Sequence, residues 1–312
     1  MRLRALVTAG VAAAGLAAVS NRLLSRRTDT LEPALMGEQQ TYRWRGMDVE
    51  YTEAGDPDDQ DVVLLHGISA VGSSREFEPV FDALAEDFHV IAPDLPGFGR
   101  SDRPALVYSA SLYESFVEDF LRDVAVNPVC IASSLTAGYV VSAAPRLDLS
   151  RLILLCPTAE TRSPSRPFVR TLLRTPLVGT TLFNLLASKP SIRTFNADHG
   201  YYDSAAMSSE DVAYQWQTAH QPGARFAPAS FVSGYLDVDV DLEAELADLD
   251  VPTTLVWGRE ADITPLHEGR SLAKEANAKL VVLDRSRLLP HVEHPDTFVD
   301  VVREELLAQE PE

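Results

Sequence analysis

Ser133 and Ser134 stand where an apolar run, PVCIAS (128–133), meets a helix of small residues, Leu135 to Ala144. Other groups able to do chemistry also follow short apolar runs. His66-Gly67-Ile68 comes after DVVLL (61–65), Glu160 after RLILLCP (151–157) and Asp262 after TTLVWG (253–258), while His291 and His294 precede the last helical stretch. In open parallel sheets ligands bind beyond the carboxyl ends of the strands, so this spacing gathers a hydroxyl, imidazoles and carboxylates at one edge. Such a set suits nucleophilic acyl transfer: an imidazole takes the hydroxyl's proton and returns it to the leaving group. His199, His220 and His267 are further candidates for the imidazole, and Glu160 is an alternative acid.

The elements that must position these residues alternate along the chain. TYRWR, Gly46 and MDVEYTEAG read as a hairpin. Apolar runs at 61–65, 89–95, 128–133, 151–157, 253–258 and 279–284 read as buried strands. Helical patterns lie between them. At 73–88, Ser73 and Glu76 have capping-box spacing, and Phe77, Val80, Phe81 and Leu84 form one apolar face. The expected fold class is α/β, with a mostly parallel eight-stranded sheet and helices on both faces. Residues 160–245 break the alternation and are expected to form a helical cap insertion between core segments 31–159 and 246–312.

HG after the third strand, D-x-x-G-x-G-x-S at 94–101, the serine after the fifth strand, WG with a following Asp, and E-H-P-D-T-F at 293–298 occur in order. Together they resemble the α/β-hydrolase superfamily over about residues 41–312. The resemblance implies Ser134 as nucleophile on a strained elbow, with the Ile68 and Leu135 amides as oxyanion hole. His66, Gly67 and Ser133 would border the substrate pocket, and Asp94, Gly97, Gly99 and Ser101 would hold the neighbouring loop.

The departures are specific. The usual Gly-x-Ser-x-Gly elbow reads Ala132-Ser133-Ser134-Leu135-Thr136. The acid position after WG holds Ala261, with Asp262 one residue later. Anchored on Glu293 and Pro295, the family's histidine position falls on Leu288, which can neither accept nor return a proton. In a serine protease, loss of that histidine lowers the rate by about 10⁶. His291 is the candidate replacement, three residues along; otherwise it is a loop or capping residue. ASSL at the elbow and LLPH before the last helix resemble a prokaryotic, haloarchaeal subgroup with a degenerate triad.

The net charge is −19, with 46 acidic residues spread along the chain against 27 basic ones. That composition fits solvation at high salt, where a Debye length of roughly 3 Å screens self-repulsion, and it excludes a nucleic-acid footprint. Cys130 and Cys156 are too few for a disulfide framework and lie in apolar runs, as small buried hydrophobes do. No metal or organic cofactor is expected, since there is no clustered ligand set and no phosphate-cradling glycine loop.

Arg2 and Arg4 precede an apolar stretch at 5–19, and Arg22, Arg26 and Arg27 follow it. Residues 1–30 therefore read as a membrane anchor, a signal peptide or an ordinary packed helix. Three functions compete. One is a serine hydrolase of a small or lipophilic ester, using Ser134, Asp262 and His291, with Tyr201, Tyr202, Trp216 and Phe226 lining an apolar pocket under the cap. The second is a non-catalytic binder of an apolar ligand or membrane partner. The third is a membrane-tethered interaction domain without a pocket.

Overall fold

The computed structural model describes residue 21 and residues 30–161 and 164–307. Strands β1 (Glu38–Trp44) and β2 (Met47–Ala54) form a hairpin in which Trp44 pairs with Met47 across a two-residue turn. Both turn residues, Arg45 and Gly46, have positive φ, the backbone a type I′ turn requires. Strands β3 (Asp61–Leu65), β4 (His89–Pro93), β5 (Val129–Ser133), β6 (Arg151–Leu155), β7 (Thr253–Gly258) and β8 (Lys279–Leu283) complete one eight-stranded sheet. The order is β1-β2-β4-β3-β5-β6-β7-β8. β3 to β8 run parallel, and β2 joins β4 antiparallel.

β5 and β6 are buried at every position because helices cover both faces of the sheet. On one face lie α1 (Glu78–Leu84) and α12 (Pro295–Leu307), bringing Phe77, Phe81, Leu84 and Phe298 together. On the other, α2 (Ala110–Val124) and α3 (Leu135–Ala143) bury Tyr113, Phe116, Phe120 and Tyr139. The expected helix over 73–88 is a 3₁₀ turn, Ser74–Phe77, followed by α1. Ser73 makes no side-chain cap there, because Glu76 is turned away from its own helix.

The insertion is helical, as its composition suggested. It comprises α4 (Pro167–Arg174), α5 (Val178–Leu186), α6 (Lys189–Phe195), α7 (Ser209–Ala219) and α8 (Phe226–Phe231). A π-helical turn, Asn196–Gly200, follows α6. The chain then returns through α9 (Leu242–Asp248), α10 (Leu266–Glu275) and the short α11 (Pro290–Glu293). Among the described residues no helix is long and apolar enough to cross a membrane. The apolar stretch at 5–19 lies outside them.

Strand order reverses around β3: the chain moves from β3 outward to β4, then crosses to β5 on the other side. A crevice opens at such a switch point, between the carboxyl ends of β3 and β5. The loop from His66 and the turn at Ser134 meet there.

Candidate active site

Ser134 joins β5 to α3 with φ 52° and ψ −124°, a conformation that non-glycine residues rarely adopt. Strain of this kind is of order 1–3 kcal/mol and persists where surroundings over-determine it. Here the Ser134 amide donates to the Leu155 carbonyl at 2.8 Å, and its own carbonyl accepts from Ala137 and Thr158. The Thr136 hydroxyl donates to the His66 carbonyl at 2.7 Å, tying the elbow to the loop after β3. Threonine at this usual glycine position is therefore accommodated as a tether. Among the described residues the Ser134 hydroxyl and the Ile68 and Leu135 amides have no hydrogen-bond partner. A free hydroxyl beside two free amides is what attack on a carbonyl and stabilisation of its oxyanion require.

Ser133 and Ser134 border a cavity of about 430 Å³. Gly67, Ile68, Arg75 and Glu76 line it from the loop after β3, and Phe195, Asn196, Gly200 and Tyr201 from the cap. Leu288, Leu289 and Val292 close it from the loop before the last helix. Of the expected aromatic lining, Tyr201 borders the cavity and the other three residues are placed differently. Tyr202 is 47% exposed and turned outward. Trp216 stacks on His220 at 4.3 Å, and Phe226 lies under the guanidinium groups of Arg174 and Arg225. Leu135 and His66 are buried behind the cavity wall.

No cavity-lining residue is a histidine. His66 is fully buried, its Nε2 accepting from the Leu95 amide and its Nδ1 beside the Gly67 carbonyl, and burial lowers its pKa. It shapes the loop. Asp94 does likewise, accepting from the Ser74 and Arg100 amides, both at 2.7 Å. His220 is held by the Trp216 carbonyl, His294 lies 3.2 Å from the Arg285 carbonyl, and His267 is exposed. Glu160 is exposed too.

Ser134, Asp262 and His291 are not brought into one hydrogen-bonded chain. Asp262 is half exposed and pairs with His199 of the cap at 2.8 Å. The neighbouring loop grips the cap as well. The Arg287 guanidinium donates to the Ala197 and Asp198 carbonyls, and the Glu293 carboxylate accepts from the Tyr202 and Asp203 amides. His291 is wholly buried between Phe77 and Phe298, with ring centroids at 5.0 and 5.8 Å. Its polar neighbour is Glu76, whose Oε1 lies 3.5 Å from Nε2. Desolvation drives His291 down to about 3, so the ring is neutral at physiological pH.

Glu76 is the residue that sequence reasoning missed. Its Oε2 accepts from the Gly67 amide at 2.9 Å, and the Ser133 hydroxyl also bonds the carboxyl group. Desolvation outweighs both contacts and pushes its pKa up to about 7. The only sequence signal was its capping-box spacing from Ser73, which pointed to a helix terminus instead. Among the described residues no group of three or more His, Cys, Asp or Glu could hold a metal ion. Cys130 and Cys156 are free and buried, and burial raises both thiols.

The strand order, the elbow and the facing amides define a hydrolase-type scaffold, and a profile of the alpha/beta hydrolase family matches residues 62–301. The chain belongs to that family. An uncharacterized hydrolase of Bacillus subtilis is 24% identical over 258 residues, covering 80% of this chain and 91% of that protein. A 2-hydroxy-6-oxo-6-phenylhexa-2,4-dienoate hydrolase of Burkholderia cepacia is 23% identical over 253 residues, covering 76% and 84%. The solved structure of an enzyme of the same name from Rhodococcus sp. strain RHA1 superposes with a TM-score of 0.71 at 24% identity. It covers 88% of this chain and 99% of that one. These likenesses agree with the mixed eight-stranded sheet and with hydrolases of small molecules as family members.

Proposed function

We propose that this protein is a serine hydrolase of a small or lipophilic uncharged ester, with Ser134 as nucleophile in a family site that lacks the usual histidine. The observation that carries this reading is the strained Ser134 elbow, its hydroxyl unbonded at the edge of a cavity of about 430 Å³. In the reaction, Ser134 Oγ bonds to the ester carbonyl carbon while the Ile68 and Leu135 amides receive the developing oxyanion. Charge argues against an anionic substrate such as the dienoates that name the relatives. Among the described residues Arg75 is the one basic residue lining the cavity, and Asp211 at 2.9 Å already pairs with it. Glu76, Glu78, Glu210 and Asp211 line the same space. A fluorophosphonate probe tests the reading: covalent labelling of folded protein in molar salt, mapped by mass spectrometry to Ser134, is expected. Absence of labelling across the pH range overturns it.

Membrane association belongs to the same proposal. Between 161 and 197 the sequence carries six basic residues (Arg162, Arg166, Arg170, Arg174, Lys189, Arg193) and no acidic one, within a chain of net charge −19. The cap helices there expose Phe168, Val178, Leu185 and Leu186. Asn21, which follows the N-terminal apolar stretch, donates to the Leu177 carbonyl and accepts from Asn184. Basic and apolar side chains within one cap segment suit an anionic lipid surface, and the N-terminal stretch would add a second hold. Flotation with vesicles containing 30% anionic lipid should carry the full-length chain upward. Replacing Arg166, Lys189 and Arg193 together by Glu should reduce the bound fraction at least threefold; equal flotation would remove the cap from the membrane contact.

A further inference from the structure

Two polar atoms and the side-chain carbon of Ser134 converge on Gly67. A Cβ built there would stand 3.2 Å from Ser133 Oγ, 3.3 Å from Glu76 Oε2 and 3.6 Å from Ser134 Cβ. The Glu76 side chain keeps 14% of its exposure, and that exposure faces the cavity. Its Oε1 is buried without a hydrogen bond, its nearest polar neighbour being His291 Nε2 at 3.5 Å. A carboxyl group so placed is unusual, because buried polar atoms are nearly always partnered. Glu76 and Ser134 line the same cavity, and the carboxyl group there retains hydrogen-bonding capacity that the protein itself does not use.

We propose that Glu76 is the proton-handling catalytic residue of this cavity, occupying the functional role that Leu288 cannot fill. The proposal rests on the hydrolase reading and names the base within it. As carboxylate, Glu76 accepts the proton of Ser134 Oγ, directly or through one water, while the Oγ–carbonyl bond forms. As carboxylic acid, it gives that proton to the leaving alkoxide when the carbon–oxygen bond of the ester breaks. Water then attacks the acyl-serine, its proton passes to Glu76, and Ser134 recovers a proton as the acyl–Oγ bond breaks. The cycle is balanced and needs no other reactant.

The surroundings support a carboxyl that changes state near neutrality. A base is most effective with a pKa near the working pH, and burial places Glu76 at about 7. Facing it are Ser133 and the Gly67 amide from the strand ends, His291 from α11, and Tyr201 from the cap. Arg75 on its own turn is held by Asp211 and Glu210 and faces the same cavity. His291 is neutral at any pH where the site works, so it is not the titrating group.

The test is the rate of fluorophosphonate labelling of full-length protein in molar salt from pH 5 to 9, for wild type and Glu76→Gln. The carboxylate is the active form and its pKa is raised, so the wild-type rate should climb through about pH 7 and level off above it. Glu76→Gln, shown folded by circular dichroism, should label at least tenfold more slowly at pH 8 with no step near 7. Labelling of the variant at the wild-type rate, or a wild-type profile flat across this range, overturns the proposal while leaving Ser134 as nucleophile. If the variant does not fold, the wild-type profile alone decides. A wild type that never labels fails on the nucleophile, not on the base.

Discussion

Leu288→His should raise the rate of hydrolysis of an uncharged p-nitrophenyl ester by about 10², within the range of 10²–10⁴ that a positioned acid–base group supplies. Leu288 already lines the cavity with Ser134, so an imidazole there would share the space into which the hydroxyl opens. The gain should stay at the lower end for a structural reason. In the serine proteases, substitution of the carboxylate that orients the histidine lowers kcat by about 10⁴, because the ring then takes the wrong tautomer. Here Asp262 is committed to His199 across a 2.8 Å contact and is not free to orient a new ring. Adding His199→Ala to Leu288→His should therefore increase the rate further by releasing Asp262. The new enzyme's pH profile should rise near the ordinary histidine range of about 6.5. A Leu288→His rate within threefold of wild type would mean that an imidazole at 288 adds no acid–base function to the one already present.

Gly99→Ala should destabilise the fold by about 4 kcal/mol, a large share of the roughly 5–15 kcal/mol that holds a domain together. Gly99 has φ +49°, and a Cβ on it would lie 1.9 Å from Asp94 Cγ and 2.1 and 2.2 Å from its two carboxylate oxygens. The left-handed backbone alone contributes about 1–2 kcal/mol. The remainder comes from displacing a buried carboxylate that accepts two short amide hydrogen bonds, each contributing about 1.5–3 kcal/mol when charge-assisted. Gly46→Ala provides the comparison. It also has positive φ, +86°, but no atom lies within 4 Å of its Cβ position. Only the backbone contribution applies there, so denaturant unfolding should show Gly99→Ala losing at least twice as much as Gly46→Ala. Equal losses would mean that the Asp94 contact is not what forbids a side chain.

The scaffold was legible because local and global preferences agree along it. Apolar runs such as VVLL and CIAS do not alternate, so they require cover on both faces, and the residues after them fall at a common edge. Of the cavity, the sequence showed only positions tied to strand ends and the last helix, such as Ser134 at the turn after β5 and Leu288 in the facing wall. Glu76 was hidden by a competing local explanation. Its capping spacing from Ser73 is sound chemistry, yet the Gly67 amide and Ser133, neighbours only after β3 and β5 pair, claim the carboxyl group instead. Asp262 was hidden differently: its partner lies 63 residues away in the cap, and no periodicity reports such a contact. The aromatic residues of the cap posed the same problem. Helical patterns identify the elements, but whether Tyr201 or Tyr202 faces the cavity depends on how the π-helical turn docks.

The docking of that turn carries a kinetic consequence. Asp262, Arg287 and Glu293 all fasten the segment 197–203 over the cavity, through a contact to the His199 ring and hydrogen bonds to backbone carbonyls and amides. A molecule too wide to pass beside that segment must wait for several of these attachments to release together. Turnover on bulky substrates would then be set by how often the cover lifts, in the microsecond-to-millisecond regime of lid motions, with bond making as the faster event. The loop around Leu288 would then govern residence in the cavity as well as its shape.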